Sequence, residues 1–490
     1  MGKKARGHTG LTFEVTIMVF ADLFFLYFFL PLCLVAYFAA KNLNAKNTVL
    51  IVFSLIFYTW GEPLWVLLLV FSAALNWFTG LMIEKHKDTL KAKLSVGLGI
   101  GINLAMLLVF KYSAFFVENI NAMLGASIPV PQIRLPIGIS FFTFQAISYI
   151  LDCYWEKVQV QHSFRKFLLY LSLFPQLIAG PIGRYRVVEA EIENRQTTIN
   201  DLCEGALRAI VGLAKKVLLA NNLYTIVDNF FGNGVGNLST FGTWYVVIAY
   251  SLYVYFDFSG YSDIAIGLGR MFGFHFDENF THPFVCKTIA EFWQRWHISL
   301  GSFFRDYLLY VPIFGQVRKY FGLFLVWFST GLWHGAAWNY IIWGLYFGCF
   351  ILFEQKLGKK RIKKWPIWWK HIYSKLVIII GFGIFYFEDL GQLGLFLRNF
   401  FGISAFMGAT PFFDAITWSS LLNNLFLMVA AVACSLPILP KIKSFFLENR
   451  NDRIYVAGRL GAVIGCLLLL IASSILLVNN TNNPFLYFRF

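Results

Sequence analysis

The sequence predicts an all-α polytopic membrane protein, and three observations carry that prediction. Hydrophobic residues make up 58% of the 490 positions and charged residues only 14%, against about 25% charged in a soluble domain. The polar surface is too small to cover a soluble globule of this size, and a mean hydropathy of +0.63 makes lipid the main solvent. Apolar runs at or near spanning length recur along the whole chain, as a membrane helix of about 20 apolar residues requires. The 19% of aromatic residues exclude disorder, which is poor in aromatics and rich in charge.

The apolar runs, taken in order, are Met18–Ala40, Thr48–Trp60, Leu64–Ile83, Leu94–Val117, Ile137–Tyr154, Leu168–Gly180, Trp244–Phe258, Tyr320–Glu354, Leu376–Phe387, Leu422–Leu439 and Leu460–Val478. The run 320–354 is long enough for two segments. Several others fall short of a full span, which points to tilted, broken or re-entrant pieces; these survive in a bilayer only when buried in protein or lining a wet cavity. The expectation is roughly ten or eleven crossings, with re-entrant and interfacial helices besides. Lys/Arg clusters then set orientation: Lys85, Lys87, Lys91 and Lys93 in one loop; Lys356, Lys359, Lys360, Arg361, Lys363 and Lys364 in a second; Lys441, Lys443, Arg450 and Arg453 in a third. All three read as cytoplasmic, which requires an even number of crossings between the second and third and leaves the tail outside.

The net charge, 41 Lys+Arg minus 26 Asp+Glu or +15, is explained by these loops rather than by nucleic-acid binding. The seven cysteines, at 33, 153, 203, 286, 349, 434 and 466, form no CxxC pair and read as packing residues. Residues 1–17, with Lys3, Lys4, Arg6 and Glu14, form an N-terminal extension. Its basic part is separated from the apolar run and no small-residue cleavage site follows, so it does not read as a secretory signal; Met1 and Met18 both stand as starts. Residues 18–490 form the transmembrane domain, with the catalytic region at about 250–354. Within it, Leu202–Leu219 carries Arg208, Lys215 and Lys216 at helical spacing, the pattern of an interfacial amphipathic helix with lysines at the headgroups. No internal repeat supports an inverted-repeat transporter.

Three stretches carry the chemistry. His334 lies inside Trp327-Phe-Ser-Thr-Gly-Leu-Trp-His-Gly-Ala-Ala-Trp-Asn339, in the middle of the longest apolar run. A titratable group at membrane depth is a functional candidate by default, although a histidine also serves as hydrogen-bonding glue between helices. Gly331 and Gly335 would let a backbone or a substrate approach it, and a dry imidazole stays neutral and able to accept a proton. His297 follows in Thr288-Ile-Ala-Glu-Phe-Trp-Gln-Arg-Trp-His-Ile-Ser-Leu300. Read as a helix, this segment pairs Glu291 with Arg295 and puts Trp293 and His297 on one face; an interfacial anchor helix reads equally well. Asp257 and Asp263 interrupt Tyr255-Phe-Asp-Phe-Ser-Gly-Tyr-Ser-Asp-Ile-Ala-Ile-Gly267, where Gly260 could break the helix. Paired carboxylates invite metal or acid/base chemistry, but no His or Cys stands at ligand spacing, so hydrogen bonding in a polar cavity is favoured. No GxSxG, GxGxxG, P-loop or HExxH motif is present, which leaves serine-triad, nucleotide-binding and zincin readings unsupported.

From Met18 onward the chain resembles the membrane-bound O-acyltransferase (MBOAT) family, and within it the bacterial alginate O-acetyltransferase type. The likeness rests on Pro136-Ile-Gly-Ile-Ser-Phe-Phe-Thr-Phe-Gln145, Phe174-Pro-Gln-Leu-Ile-Ala-Gly-Pro181, Phe256-Asp-Phe-Ser-Gly-Tyr-Ser-Asp263, Glu291-Phe-Trp-Gln-Arg-Trp-His-Ile-Ser299, Gly331-Leu-Trp-His-Gly-Ala-Ala-Trp-Asn339 and the tail Asn483-Pro-Phe-Leu-Tyr-Phe-Arg-Phe490. The extension 1–17 departs from the family pattern. The resemblance implies a helical fold around a central funnel, with His334 and His297 catalytic. It further implies a substrate-binding or chamber wall containing Asp257, Asp263, Trp333, Trp338, Asn339 and Arg295. No metal and no bound cofactor are implied; an acyl thioester, acetyl-CoA, is the co-substrate. The acetyl group would cross the membrane to an extracellular or periplasmic polysaccharide such as alginate, completed by a membrane-anchored or secreted SGNH-type partner, in a multi-pass protein of the bacterial plasma membrane. Two other readings stay open: D-alanyl transfer from a carrier protein to teichoic acid, and a transporter of lipid-linked sugars.

Overall fold

The computed structural model describes residues 18–178, 180–232, 234–309, 319–447, 452–479 and 485; the 1–17 extension and most of the 483–490 tail lie outside them. Among the described residues the regular structure is helical throughout, with no strand. Without water in the bilayer core, a helix satisfies every backbone N–H and C=O within its own segment, and that requirement selects the fold class.

The helices that position the site are α1 (Trp65–Lys85), α2 (Leu90–Leu107), α3 (Ser113–Leu124), α4 (Ile139–Tyr154), α5 (Ile199–Ala214), α6 (Asn221–Phe231), α7 (Thr240–Met271), α8 (Ile289–Trp293), α9 (Ile298–Tyr307), α10 (Lys319–His334), α11 (Trp338–Leu357), α12 (Ile367–Tyr386), α13 (Ala415–Asn423), α14 (Leu425–Ser435) and α15 (Asp452–Asn479). A π-helical segment, Leu108–Tyr112, joins α2 to α3, and a second, Lys215–Ala220, joins α5 to α6. Among the described residues, four helices are by length and composition apolar enough to cross a membrane: α1, the continuous Leu90–Leu124 rod, α12 and Asp452–Val478. A fifth span exists if α13 and α14, bent by 63°, are one broken crossing. The expected ten or eleven crossings also count shorter, tilted and more polar helices. α7 and α11 have the length, 32 and 20 residues, but Tyr, Trp, Ser and Asn dilute their apolar character, and other runs break into short helices.

The central post is α7, buried along most of its length and about 48 Å long at 1.5 Å per residue. Its C-terminal half packs into one aromatic-rich core with the first helices, and its N-terminal half into a second core with α10, α11 and α12. The expected break at Gly260 does not occur. That glycine is instead one of four that bring α5 and α7 together: a Cβ on Gly205 would lie 2.5 Å from the Gly267 carbonyl oxygen, and one on Gly212 would lie 2.6 Å from that of Gly260. Small residues allow such backbone contact between membrane helices.

This contact overturns the interfacial reading of 202–219. Lys216 is fully buried and its Nζ donates to Asp257 Oδ1 at 2.6 Å; Lys215 Nζ donates to Asp263 Oδ2 at 2.6 Å. Arg208 joins Asp263 at 2.9 Å and Glu278 at 2.5 Å. The lysines therefore face protein carboxylates across the α5–α7 seam rather than lipid headgroups. Sequence spacing cannot reveal such a pairing, because the partners sit on different helices, 41 and 48 residues apart.

Candidate active site

The 320–354 run divides as expected, at the corner between α10 and α11, and His334 is the last residue of α10. Gly331, Gly335 and Gly344 make the hairpin tight. A Cβ on Gly331 would lie 2.3 Å from the Tyr340 carbonyl oxygen, one on Gly344 2.3 Å from that of Trp327, and one on Gly335 2.2 Å from the Tyr340 ring. These glycines thus admit the partner helix, and the approach they allow is taken by Tyr340.

The end of α10 is held by the π segment between α2 and α3. Lys111 Nζ donates to the Trp333 carbonyl oxygen at 2.6 Å, and the Tyr112 hydroxyl donates to the Leu332 carbonyl oxygen at 2.5 Å. These are the carbonyls that a helix leaves without intrahelical partners, and a cation there also suits the helix dipole. The His334 ring is buried against Trp333, Trp343 and Phe385, with centroids 5.0, 4.8 and 5.3 Å away.

Two cavities meet at this imidazole. One is aromatic, lined by Val254, Phe258, Phe292, Trp293, Trp296, Trp343, Phe347, Phe382, Phe385 and His334. The other is more polar, lined by Lys111, Ser140, Trp333, His334 and the start of α4 from Gly138. Gly138 has φ +77°, and a Cβ there would lie 2.9 Å from the Leu177 carbonyl oxygen.

His297 approaches from the opposite side. The predicted single helix over 288–300 is corrected: α8 ends at Trp293 and α9 begins at Ile298, and His297 stands between them with φ +45°. The Glu291–Arg295 pair is present, at 3.0 Å. A left-handed conformation in a non-glycine residue is sparsely populated and persists only when its surroundings impose it. Asn279 does so: its backbone oxygen accepts from the Ile298 N–H at 3.0 Å, and its Oδ1 accepts from the Ser299 N–H and hydroxyl at 3.1 and 2.9 Å. The same Oδ1 lies 3.3 Å from His297 Nδ1, which assigns the ring hydrogen to Nδ1 and the lone pair to Nε2. Glu354 fixes the other end of α8, its carboxylate accepting from the Ile289 and Ala290 N–H groups at 2.6 and 2.9 Å. The His297 ring packs on Phe258 at 4.6 Å and on Trp333 at 5.8 Å. Trp333 therefore packs against both histidines.

Of the residues expected at the site, the structure brings together His334, His297 and Trp333. Of all these residues only His334 and Trp333 line a cavity; His297 stands behind them, packed on Trp333 and Phe258. Asp257 and Asp263 are ion-paired across the α5–α7 seam. Trp338 is half exposed and donates through Nε1 to Asn119 Oδ1 at 2.9 Å. Asn339 is buried and donates to the Ile384 and Phe385 carbonyls at 3.3 and 3.1 Å, which aligns Phe385 against His334. Arg295 donates to the Thr281 carbonyl oxygen at 3.1 Å. The sequence reading missed Lys111 and Asn279. Lys111 had a legible signal, a lone cation in the apolar run 94–117. Asn279 had none, since it follows Asp277 and Glu278 in a polar stretch.

The fold and the site define a polytopic membrane protein built around a buried histidine at a helix corner, with a second buried histidine packed on the same tryptophan. The model of the membrane-bound O-acyltransferase family matches residues 20–390, and the chain belongs to that family of acyltransferases. It is 38% identical over 384 residues to the probable alginate O-acetylase AlgI of Pseudomonas aeruginosa, covering 76% of this chain and 73% of that one. It is 29% identical over 525 residues to the peptidoglycan O-acetyltransferase of Helicobacter pylori, covering 97% and 98%. Similarity to the teichoic acid D-alanyltransferase of Bacillus subtilis is 32% identity over 238 residues, or 45% of this chain and 60% of that one. The chain is thus a multi-pass membrane O-acyltransferase that uses an acyl donor as co-substrate.

Proposed function

We propose that this enzyme takes an acetyl group from a cytoplasmic thioester, acetyl-CoA, and passes it across the bacterial plasma membrane for O-acetylation of an extracellular or periplasmic polysaccharide. The observation that carries the reading is His334, buried at the corner of α10 and α11 and lining both cavities at once. One face of the imidazole meets a donor and the other an acceptor, as proton transfer between them requires. The acceptor hydroxyl is a poor nucleophile until a base takes its proton. His334 Nδ1 or Nε2 takes that proton as the hydroxyl oxygen attacks the thioester carbon, then returns it to the departing thiolate. His297, through Nε2, orients the acceptor.

Acetyl is favoured over D-alanyl as the acyl group. The residues lining the aromatic cavity include no carboxylate that would pair with an ammonium group, and a desolvated ammonium needs such a partner. The names of the relatives support a cell-envelope polysaccharide, alginate on one side and peptidoglycan on the other. A membrane-anchored or secreted SGNH-type protein is the proposed partner that completes transfer to the polymer. The test is membrane vesicles carrying the enzyme, given radiolabelled acetyl-CoA or D-alanyl carrier protein. Label from acetyl-CoA reaching partner or polymer supports the reading; label moving only from the D-alanyl carrier overturns it in favour of teichoic acid chemistry, and sugar-lipid movement without label transfer overturns it in favour of transport.

A further inference from the structure

Lys111 is a basic side chain at membrane depth that no carboxylate among the described residues neutralises. It sits in the π segment of the Leu90–Leu124 rod, which is apolar enough to cross a membrane, and a cation at such depth is costly unless it is paired or functional. Lys215 and Lys216, by contrast, each face an aspartate at 2.6 Å. Among the described residues no carboxylate forms an ion pair with Lys111. Its partners are the Trp333 carbonyl oxygen at 2.6 Å, Ser140 Oγ at 3.4 Å and the Trp333 ring, whose centroid is 5.9 Å away. Lys111 lines the same cavity as His334, and a protonated amine brings three N–H donors to it. That cavity also holds the start of α4, residues 138–140, whose N-terminal N–H groups add partial positive charge. π segments inside α-helices recur at functional sites.

The geometry points to Lys111 as a catalytic cation of the acyl transfer, binding the thioester carbonyl oxygen and holding the negative charge it acquires when the acceptor attacks. This rests on the acyl-transfer reading above. The bookkeeping is closed: the acceptor O–H proton goes to His334, the new C–O bond forms, and the carbonyl π pair moves onto the oxygen beside the Lys111 ammonium. The pair then returns, the C–S bond breaks, and His334 gives its proton to the thiolate. A donor already in place where charge develops is the arrangement that lowers a barrier most.

Lys111 also caps α10, and the test separates the two roles. Transfer of acetyl from radiolabelled acetyl-CoA is first measured with the wild-type enzyme in vesicles; its absence there defeats the underlying function, not the role of Lys111. Lys111→Met and Tyr112→Phe are then compared, each removing one cap of the same helix end. The expected result is a fall in kcat of about 10²–10³-fold for Lys111→Met at unchanged donor KM, with Tyr112→Phe within about threefold of wild type. Lys111→Cys, in a background with the exposed Cys203 and Cys349 replaced by Ser, should be inactive until bromoethylamine rebuilds a lysine-like ammonium, and should stay inactive after iodoacetamide. This comparison uses one folded sample before and after modification. Wild-type kcat in Lys111→Met, an equal loss in Tyr112→Phe, or no recovery after complete aminoethylation would each overturn the assignment.

Discussion

Removing either side of the Lys216–Asp257 pair should destabilise the protein far more than removing both. Lys216 is 0% exposed, Asp257 is 1% exposed, and their side chains meet at 2.6 Å. The seam around them is closed by the Gly205–Gly267 and Gly212–Gly260 contacts, so water cannot enter without separating α5 from α7. Lys216→Met leaves the Asp257 carboxylate facing a thioether, and Asp257→Leu leaves the ammonium facing a methyl. Breaking a buried pair from one side costs about 3–5 kcal/mol, whereas replacing both partners by apolar residues of similar volume is often neutral. The double variant is therefore expected to be more stable than either single one, with a coupling energy of about 2 kcal/mol or more. The assay is denaturant unfolding of the purified protein in detergent, as a double-mutant cycle. Acetyl transfer per folded molecule should be unchanged in the double variant, because neither residue lines the cavities at His334. Single variants as stable as wild type, or losses that simply add, would refute the buried-pair argument. A stable but inactive double variant would return Asp257 to the chamber wall, where the sequence reading had put it.

Three other outcomes follow from the same geometry. Gly212→Leu places a Cβ 2.6 Å from the Gly260 carbonyl oxygen, and thermal unfolding should show a loss of about 1–3 kcal/mol or more. Asn279→Leu removes the partner of His297 Nδ1 and of Ser299; a histidine displaced by about 1 Å should lower kcat on the order of 10²-fold while abundance in membranes holds. Trp338→Ala removes only a half-exposed side chain and its bond to Asn119, so acetyl transfer should stay within about threefold of wild type if the side chain lies outside the reaction space.

What the sequence disclosed followed from chemistry that one segment carries alone. His334 was visible because a titratable group in a 35-residue apolar run is costly and so stands out as a candidate, and the α10–α11 division followed from the length of that run. The Lys215–Asp263 and Lys216–Asp257 pairs were invisible because their members lie on two helices about 40–50 residues apart, and lysines at helical spacing look alike whether they face headgroups or carboxylates. The left-handed turn at His297 was hidden for a related reason: Thr288–Leu300 has good helix-forming chemistry throughout, and the break is imposed by Asn279 from outside the segment. The crossings are not legible one segment at a time, because length and hydrophobicity do not distinguish a helix bathed in lipid from one, such as α7, surrounded by protein.

The most direct test of the account is transfer of radiolabelled acetyl from acetyl-CoA in membranes carrying His334→Ala at wild-type abundance. The imidazole at the corner of α10 and α11, between the two cavities, is the proposed proton carrier, and its removal should lower the rate by about 10²–10⁴-fold, the usual range for a general base. A His334→Ala enzyme that is folded, abundant and still transfers acetyl at the wild-type rate would contradict the central claim.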